Sequence, residues 1–576
     1  MIEEKGKTMA QNFTNSYLHK PESTSKNGMV ASKNKLATEA GLQMLKLGGN
    51  AMDAAVATCF AIGVVEPESS GIGGGGYMVF QMAEEGGVYG FPMKGPLNAT
   101  ANMYDLTGES SVGAFGWAGV KNDENIHGYK SIAVPGCVSG LLNAHKKYGK
   151  LPLAEILSPA IELASKGFQP EWYSLFVLGG LTSQILRYSE LKRVFMPDNS
   201  LPYATVSEGI FKQPDLANTL IEIKNQGVNG FYKSDITEAM VKNINDHGGI
   251  LSMKDFEQYT PFLWKNGLEF SYRGKTIRVP PFASAGITTA MTLKILDQVD
   301  IASMGHNSTN MLHNYIMAAR MAYADRFEYI ADPEFTDVPW NGLISEDYSI
   351  KRFSEFTNIA PKTYSAGNPW IQEGRSPKFS LENSAPSPDK GTTHLAVIDG
   401  DGNAVSITNT IMSGFGSGII PKNTGVIMNN GMMWYDPIPG RVNSISPGKY
   451  PLNNMTPAIV IGDSGVEIAV GASGGRRITN CVSSLLIKMI DFNMGPQDAI
   501  DAPRIDCSSE FNDITDLIPM QVINELKEKG HQIKVLENSY LKSGAKMFAS
   551  PVAVTKANGL MKGGVDSFHS AYAKGL

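Results

Sequence analysis

Residues 390–397 read KGTTHLAV: a glycine, two threonines, a histidine and the opening of an apolar strand. Upstream, residues 361–391 hold NPWIQEGRSPKFSLENSAPSPDKG, rich in Ser, Pro, Gly and charge and without an apolar period, which predicts an exposed, flexible approach. Downstream, THLAVIDGDGNAVSITNT reads as a hairpin of two alternating strands around an Asp-Gly-Asp-Gly-Asn turn. A threonine hydroxyl is a weak nucleophile unless a base stands beside it. One solution makes Thr the first residue of a chain, where its own α-amino group, titrating near ~8, is that base. Cleavage of the Gly391–Thr392 bond would create such a chain, and glycine at 391 leaves its carbonyl open to the Thr392 hydroxyl. The same letters also suit a β-branched strand opener after a linker, so the octapeptide alone leaves both readings open.

Around this point the chain changes character. Residues 1–27 are polar and unpatterned, which predicts a loose arm, and from Gly28 to Val65 the pattern is helical. AMDAAVATCFAIGVV is apolar all round, as a helix buried between layers would be. Residues 138–168 read as two amphipathic helices around a Gly-Lys-Leu-Pro turn, and further helices are expected near 214–226, 235–247, 288–299 and 308–330. GKTIRVPPF reads as a strand. After 391, GVIMNNGM, AIVIGDSGVEIAVGAS and SPVAVTKANGLMKGG continue the strand pattern, with helices near 475–491 and 518–530. The expectation is a layered α/β fold in which segments 28–391 and 392–576 share one core.

With 576 residues, 42% of them hydrophobic, the chain can bury a large core. A net charge of -6 and no long basic run argue against nucleic acid or anionic membranes as partners. Cys59, Cys137, Cys481 and Cys507 show no paired spacing and read as buried free thiols of a reducing compartment. The first residues lack the basic start and apolar stretch of a signal peptide, and the most apolar window is interrupted by Asp53. A soluble cytoplasmic protein is therefore the expectation.

Three motifs invite other chemistry. GIGGGG at 71–76 has a helix before it and a strand after it, the reverse of a dinucleotide fingerprint, and lacks the Lys-Ser/Thr of a phosphate loop. Close backbone packing or a substrate-facing loop is the better reading. Asp399, Asp401 and Asn403 imitate a calcium loop, but Ala404 and Thr410 occupy positions that need Gly and Glu. The nine histidines show no paired spacing, so neither a metal nor another cofactor is expected.

Eight blocks in register decide between the two readings of KGTTHLAV. LKLGGNAMDAAVA with GVVEPESSGIGGGGYMVF, AVPGCVSGL, YGKLPLAEILSPAIELASKGF, AYADRFEYIADPEF, GTTHLAVIDGDGNAVSIT, FGSGI with NNGM, PGKYPLNNMTPAIV and GASGGRRI resemble the γ-glutamyltransferase family of N-terminal-nucleophile hydrolases, in the family's order. The resemblance implies a four-layer αββα sandwich made as one precursor that cuts itself before the nucleophile. By position, Thr392 is that nucleophile, Gly391–Thr392 the cleavage site, and 1–391 and 392–576 the large and small chains. Thr410 matches the threonine that hydrogen-bonds the nucleophile, and Gly474 and Gly475 match the glycines whose N–H groups form the oxyanion hole.

The departures concern substrate. GFPMKGPLNAT lacks the Arg that grips a glutamate carboxylate in the family, and Lys94 is the nearest cation. Met433 and Trp434 replace the acidic pair that holds the α-ammonium, Asn453 and Asn454 replace the serine pair, and Met412 stands where an asparagine is usual. Asn430, Trp434, Asn453 and Asn454 are therefore the expected substrate contacts, in a pocket with less charge. This version looks like the branch containing acylases and small-amide amidohydrolases. The expected activity is hydrolysis or transfer of a small acyl or γ-glutamyl-like amide through an acyl-threonine ester. The alternatives are a true glutathione hydrolase, with Asp436 or Arg441 restoring γ-glutamyl recognition, and a non-catalytic binding protein on the same scaffold.

Overall fold

The computed structural model describes residues 19–83, 85–110, 117–201, 209–375, 391–536 and 548–576. The strand Thr393–Asp399 is buried along its whole length because layers cover both of its faces. Alternation shows this directly. Leu395 and Val397 join a cluster with the helices Lys35–Lys46, Ala51–Val65, Cys137–Tyr148 and Leu153–Lys166, whereas Ala396 and Ile398 join one shared with a second sheet. In that second sheet Val470 and Ala472 face the helices Gly286–Leu296, Thr309–Tyr329 and Arg477–Ile490, while Ala469 faces the first sheet. The order is helix, sheet, sheet, helix: the αββα sandwich.

The first sheet runs Tyr572–Gly575, Gly28–Ser32, Thr393–Asp399, Ala404–Thr410, Gly75–Met82, Glu85–Phe91, Phe262–Lys265, all neighbours antiparallel. The second runs Ser23–Ser25, Leu560–Val565, Ser550–Ala557, Gly465–Ser473, Ala458–Gly462, Lys275–Val279, Leu268–Tyr272, again antiparallel. Each sheet interleaves strands from before and after 391, so the two segments share one core.

The helix Ala51–Val65 has every residue buried and starts on a reciprocal cap between Asn50 and Asp53. Asp53 also accepts N–H groups from Lys150 and Leu151 and pairs with His145 at 3.2 Å, tying three helices together. The four cysteines are buried and unbridged.

Several expectations change. Residues 28–32 form a strand rather than the start of a helix. Of the arm 1–27, residues 1–18 lie outside the described residues, and Ser23–Ser25 is an edge strand paired with Leu560–Val565. GVIMNNGM forms no strand, and its last two residues open a short 3-10 turn, Gly431–Trp434. Within the expected flexible segment, 376–390 lie outside the described residues, but Pro369 and Trp370 are buried and Arg375 stacks on Trp370. The glycine loop at 71–76 is a close-packing device: a methyl group on Gly74 would sit 2.1 Å from the Thr410 carbonyl oxygen. Asp399 of the calcium look-alike turns inward to bond Asn403 and the Ala51 N–H, which closes the hairpin.

Candidate active site

Thr393 pairs with Asn409 and His394 with Thr408, a register that sets Thr392 opposite Thr410 at the open end of the hairpin. Both belong to the set, with His394, that faces the second sheet. The Thr392 hydroxyl lies 2.5 Å from the Gly391 carbonyl oxygen and 3.2 Å from the Thr410 hydroxyl. Thr410 accepts the Met412 N–H at 2.8 Å, which directs its own proton to the Gly391 oxygen, also 2.5 Å away. The carbonyl ahead of Thr392 is thus already polarised by a hydroxyl. Thr392 itself is only 5% exposed. Thr393, one residue on, points to the opposite face of the sheet.

Two features hold this end of the strand. A methyl group at Gly391 would meet the Met412 carbonyl oxygen at 2.5 Å, so the backbone passes where only glycine fits. Met412 takes φ of 88° to turn its N–H toward Thr410, and Asn430 clamps the next residue by accepting the Ser413 N–H at 3.1 Å and donating to its hydroxyl at 2.9 Å. Lys33 was not singled out from the sequence. Its ammonium donates to the Thr392 carbonyl oxygen at 3.2 Å and pairs with Glu66 at 3.4 Å, with both side chains buried. Nothing in the pattern around Lys33 marks it, because a lone lysine beside a helix start usually faces solvent.

The glycine pair arrives from the second sheet. The Val470 carbonyl oxygen accepts the Ser406 hydroxyl at 3.0 Å, and Gly471 lies flat on the His394 ring. Ser406 pairs with Ala396, two residues further along than His394, so the strand Gly465–Ser473 advances toward Thr392 as it runs to its end. Gly474 and Gly475, at φ 139° and 62°, therefore turn over the end of the sheet that carries Thr392 and Thr410, just before the helix Arg477–Ile490. Ser473 and Ser550, paired across adjacent strands, face the same space. His394 is a wedge between sheets: its ring contacts Thr408 at 3.0 Å, and burial pushes its pKa down to about 3, so it stays neutral.

Ala458 pairs with Val470, which brings Asn453 and Asn454, just upstream, alongside the same glycine turn. Their polar groups are engaged with protein. Asn453 donates to the Ala283 carbonyl at 3.0 Å and to the Tyr77 hydroxyl at 3.2 Å, and the Asn454 side-chain oxygen accepts from Arg326 at 3.2 Å. Asn430 likewise serves the Met412–Ser413 turn. Trp434 is buried beside Met412, Met432 and Met433, and its carbonyl accepts the Trp117 N–H. Asp436 and Arg441 pair with each other at 3.1 Å, and Lys94 lies over the Tyr450 ring. Arg326 and Arg476 are two further buried cations at this end. Burial pushes both guanidiniums down to about 10. Sequence reading passed over both, since arginine is ordinarily assigned to the surface.

A family profile described as Gamma-glutamyltranspeptidase matches residues 37–575. A protein named glutathione hydrolase proenzyme from Pseudomonas sp. (strain A14) is 35% identical over 83% of this chain and 81% of its own length. One named acylase ACY 1 proenzyme from Pseudomonas sp. (strain V22) is 33% identical over 89% of this chain and 88% of its own. The crystal structure of cephalosporin acylase from Bacillus halodurans superposes with a TM-score of 0.85, covering 98% of both chains at 24% identity, a likeness of fold.

Proposed function

This chain belongs to the gamma-glutamyltranspeptidase family of hydrolases, and from that premise we propose that it cuts itself between Gly391 and Thr392 and then hydrolyses or transfers small acyl amides through Thr392. The observation that carries the reading is the Gly391 carbonyl, which lies beside the Thr392 hydroxyl and accepts the Thr410 hydroxyl at 2.5 Å. In the first step the Thr392 Oγ1 attacks the Gly391 carbonyl carbon and the C–N bond breaks. The α-amine is freed and an ester links the two residues. Water then releases the Gly391 carboxylate. In each later turnover the freed α-amine takes the Thr392 hydroxyl proton as the oxygen attacks the substrate amide, and returns a proton to the leaving amine. The Gly474 and Gly475 N–H groups are the donors for the tetrahedral oxyanion, and the acyl ester is resolved by water or a second amine. No cofactor enters these steps.

The substrate we favour is an acyl amide without an α-ammonium. Met433 and Trp434 are packed into an apolar group, and Asp436 is already neutralised by Arg441, which leaves no carboxylate among them for a glutamyl ammonium. Glutathione hydrolysis is the second reading, supported by the relatives of that name. Thr392→Ala should give one uncut chain with no amidase activity, whereas Thr393→Ala, on the far face of the sheet, should still give two chains on a denaturing gel. Cleavage that persists in the Thr392 variant would remove the proposed role.

A further inference from the structure

The strand Gly28–Ser32 lies beside the nucleophile strand, with Ser32 opposite Leu395, and Lys33 is the next residue along. Its side chain does not turn out to solvent. Lys33 is 0% exposed, and its ammonium donates to the Thr392 carbonyl oxygen at 3.2 Å. A buried ammonium needs a counter-charge, and Glu66, capping the end of the helix Ala51–Val65, supplies one at 3.4 Å. The oxygen that Lys33 holds belongs to the same residue as the nitrogen that the proposed cut sets free, and only three bonds separate the two atoms. A positive charge so close disfavours the ammonium form of an amine, and the freed amine must be neutral to take the hydroxyl proton. Other titratable groups approach this end of the sheets from each neighbouring element. Glu66 and Glu68 both act on the Tyr173 hydroxyl, which burial pushes far above the usual phenol range. Tyr173 lies 4.5 Å from the His569 ring, whose partner Asp566 is also held by Arg504. The hairpin brings His394, kept neutral by burial, the second sheet brings the uncharged Ser473 and Ser550, and Arg476 follows the glycine turn. Of these groups, Lys33 is the one bonded to the Thr392 backbone.

We propose that Lys33, held by Glu66, is a positioning residue that keeps the freed α-amine of Thr392 unprotonated at neutral pH, ready to act as the general base. This rests on the self-cleavage reading above and deepens it. Lys33 gives up no proton: the Thr392 hydroxyl proton passes to the amine and from there to the leaving amine. Lys33 acts through its charge and through the carbonyl it fixes. Glu66, of opposite charge, acts on the amine in the opposite sense, so removing the lysine alone has a larger effect than removing the pair.

The test titrates that amine on purified, processed protein, by the pH dependence of its labelling with acetic anhydride, read by mass spectrometry on the peptide that begins at Thr392. In wild type it should titrate about one unit or more below the ~8 of an ordinary α-amine. Lys33→Met should raise it by about one unit, the double variant Lys33→Met/Glu66→Gln by less, and Lys33→Arg should leave it in place. The acid limb of kcat/KM for butyryl p-nitroanilide should move with it, so that Lys33→Met loses about tenfold at about pH 6 and little at about pH 9. If Lys33→Met does not fold, the double variant, which leaves no lone buried carboxylate, decides. An amine that titrates at the same pH with and without Lys33, or a rate lowered equally at every pH, is a purely structural effect and would overturn the proposal. So would folded variants that stay uncut, since Lys33 would then act in the cut itself. Shifted labelling without turnover of the anilide would uphold the role of Lys33 and count against the acyl-amide reading. A wild-type chain that stays uncut has no such amine, and would remove the self-cleavage reading and this proposal with it.

Discussion

Thr410 accepts one hydrogen bond and donates another in a way that a methyl group cannot copy. Its oxygen takes the Met412 N–H, and its proton goes to the Gly391 carbonyl, the group Thr392 would attack in the proposed self-cleavage. Thr410→Val keeps the β-branched shape and removes both bonds. Removing a single oxyanion donor costs a factor of about 10²–10³ in comparable sites. Self-cleavage of Thr410→Val should therefore slow by about that factor in a time course on denaturing gels, with the fold intact by circular dichroism. A rate equal to wild type would exclude Thr410 from the step. Lys33 belongs to the same account from the other side: its ammonium, held by Glu66, fixes the Thr392 carbonyl and so the direction in which the strand begins.

Between elements, the contact that sets Thr392 against the glycine turn is the crossing of Thr393–Asp399 by Gly465–Ser473 at His394 and Gly471. An added methyl at Gly471 would stand 2.2 Å from the His394 ring. Gly471→Ala should destabilise the fold by about 1–3 kcal/mol through overpacking, measured by denaturant unfolding, and should misplace Gly474 and Gly475. Stability unchanged from wild type would mean that the sheets do not meet there. The elements that sequence reading found were those with a clear period: Pro214–Gln226, Asp235–Asp246 and the hairpin after Thr393. Gly28–Ser32 reads as helical in the sequence because a strand buried on both faces shows an unbroken run instead of alternation. GVIMNNGM has apolar letters too, but Asn429 fixes it by bonds to the Gly73 and Ala133 carbonyls, side-chain bonding that no periodicity displays. The approach of Thr392 to Thr410 was legible because both sit on one hairpin, local in sequence. Lys33, Arg326 and Arg476 were not, because a buried charge looks like a surface charge until its surroundings are known.

Over the whole molecule, both sheets are woven from the two segments that flank 391. Gly28–Ser32 and Gly75–Met82 flank the hairpin on either side, so a cut at 391 leaves the core joined by its ladders and packing. Acid should loosen that core at His394, whose neighbours Thr408, Ser406 and Gly471 carry no charge. The folded pKa is about 3, while an unfolded histidine titrates near ~6.5, so between these values the unfolded chain binds a proton that the native state refuses. Stability is present above ~6.5 and falls as pH drops below it, by about 1 kcal/mol per unit for this one group. His394→Gln should flatten that part of the pH dependence in thermal unfolding, and an unchanged slope would place a charge partner beside the ring.

The proposed chemistry turns on one bond, Gly391–Thr392. Purified protein should migrate as a single species under native conditions and resolve into two chains when denatured. Mass spectrometry should then find the smaller chain beginning at Thr392 with a free α-amine and the larger ending at Gly391. A full-length chain that stays intact on incubation, or a cut at any other residue, would contradict it.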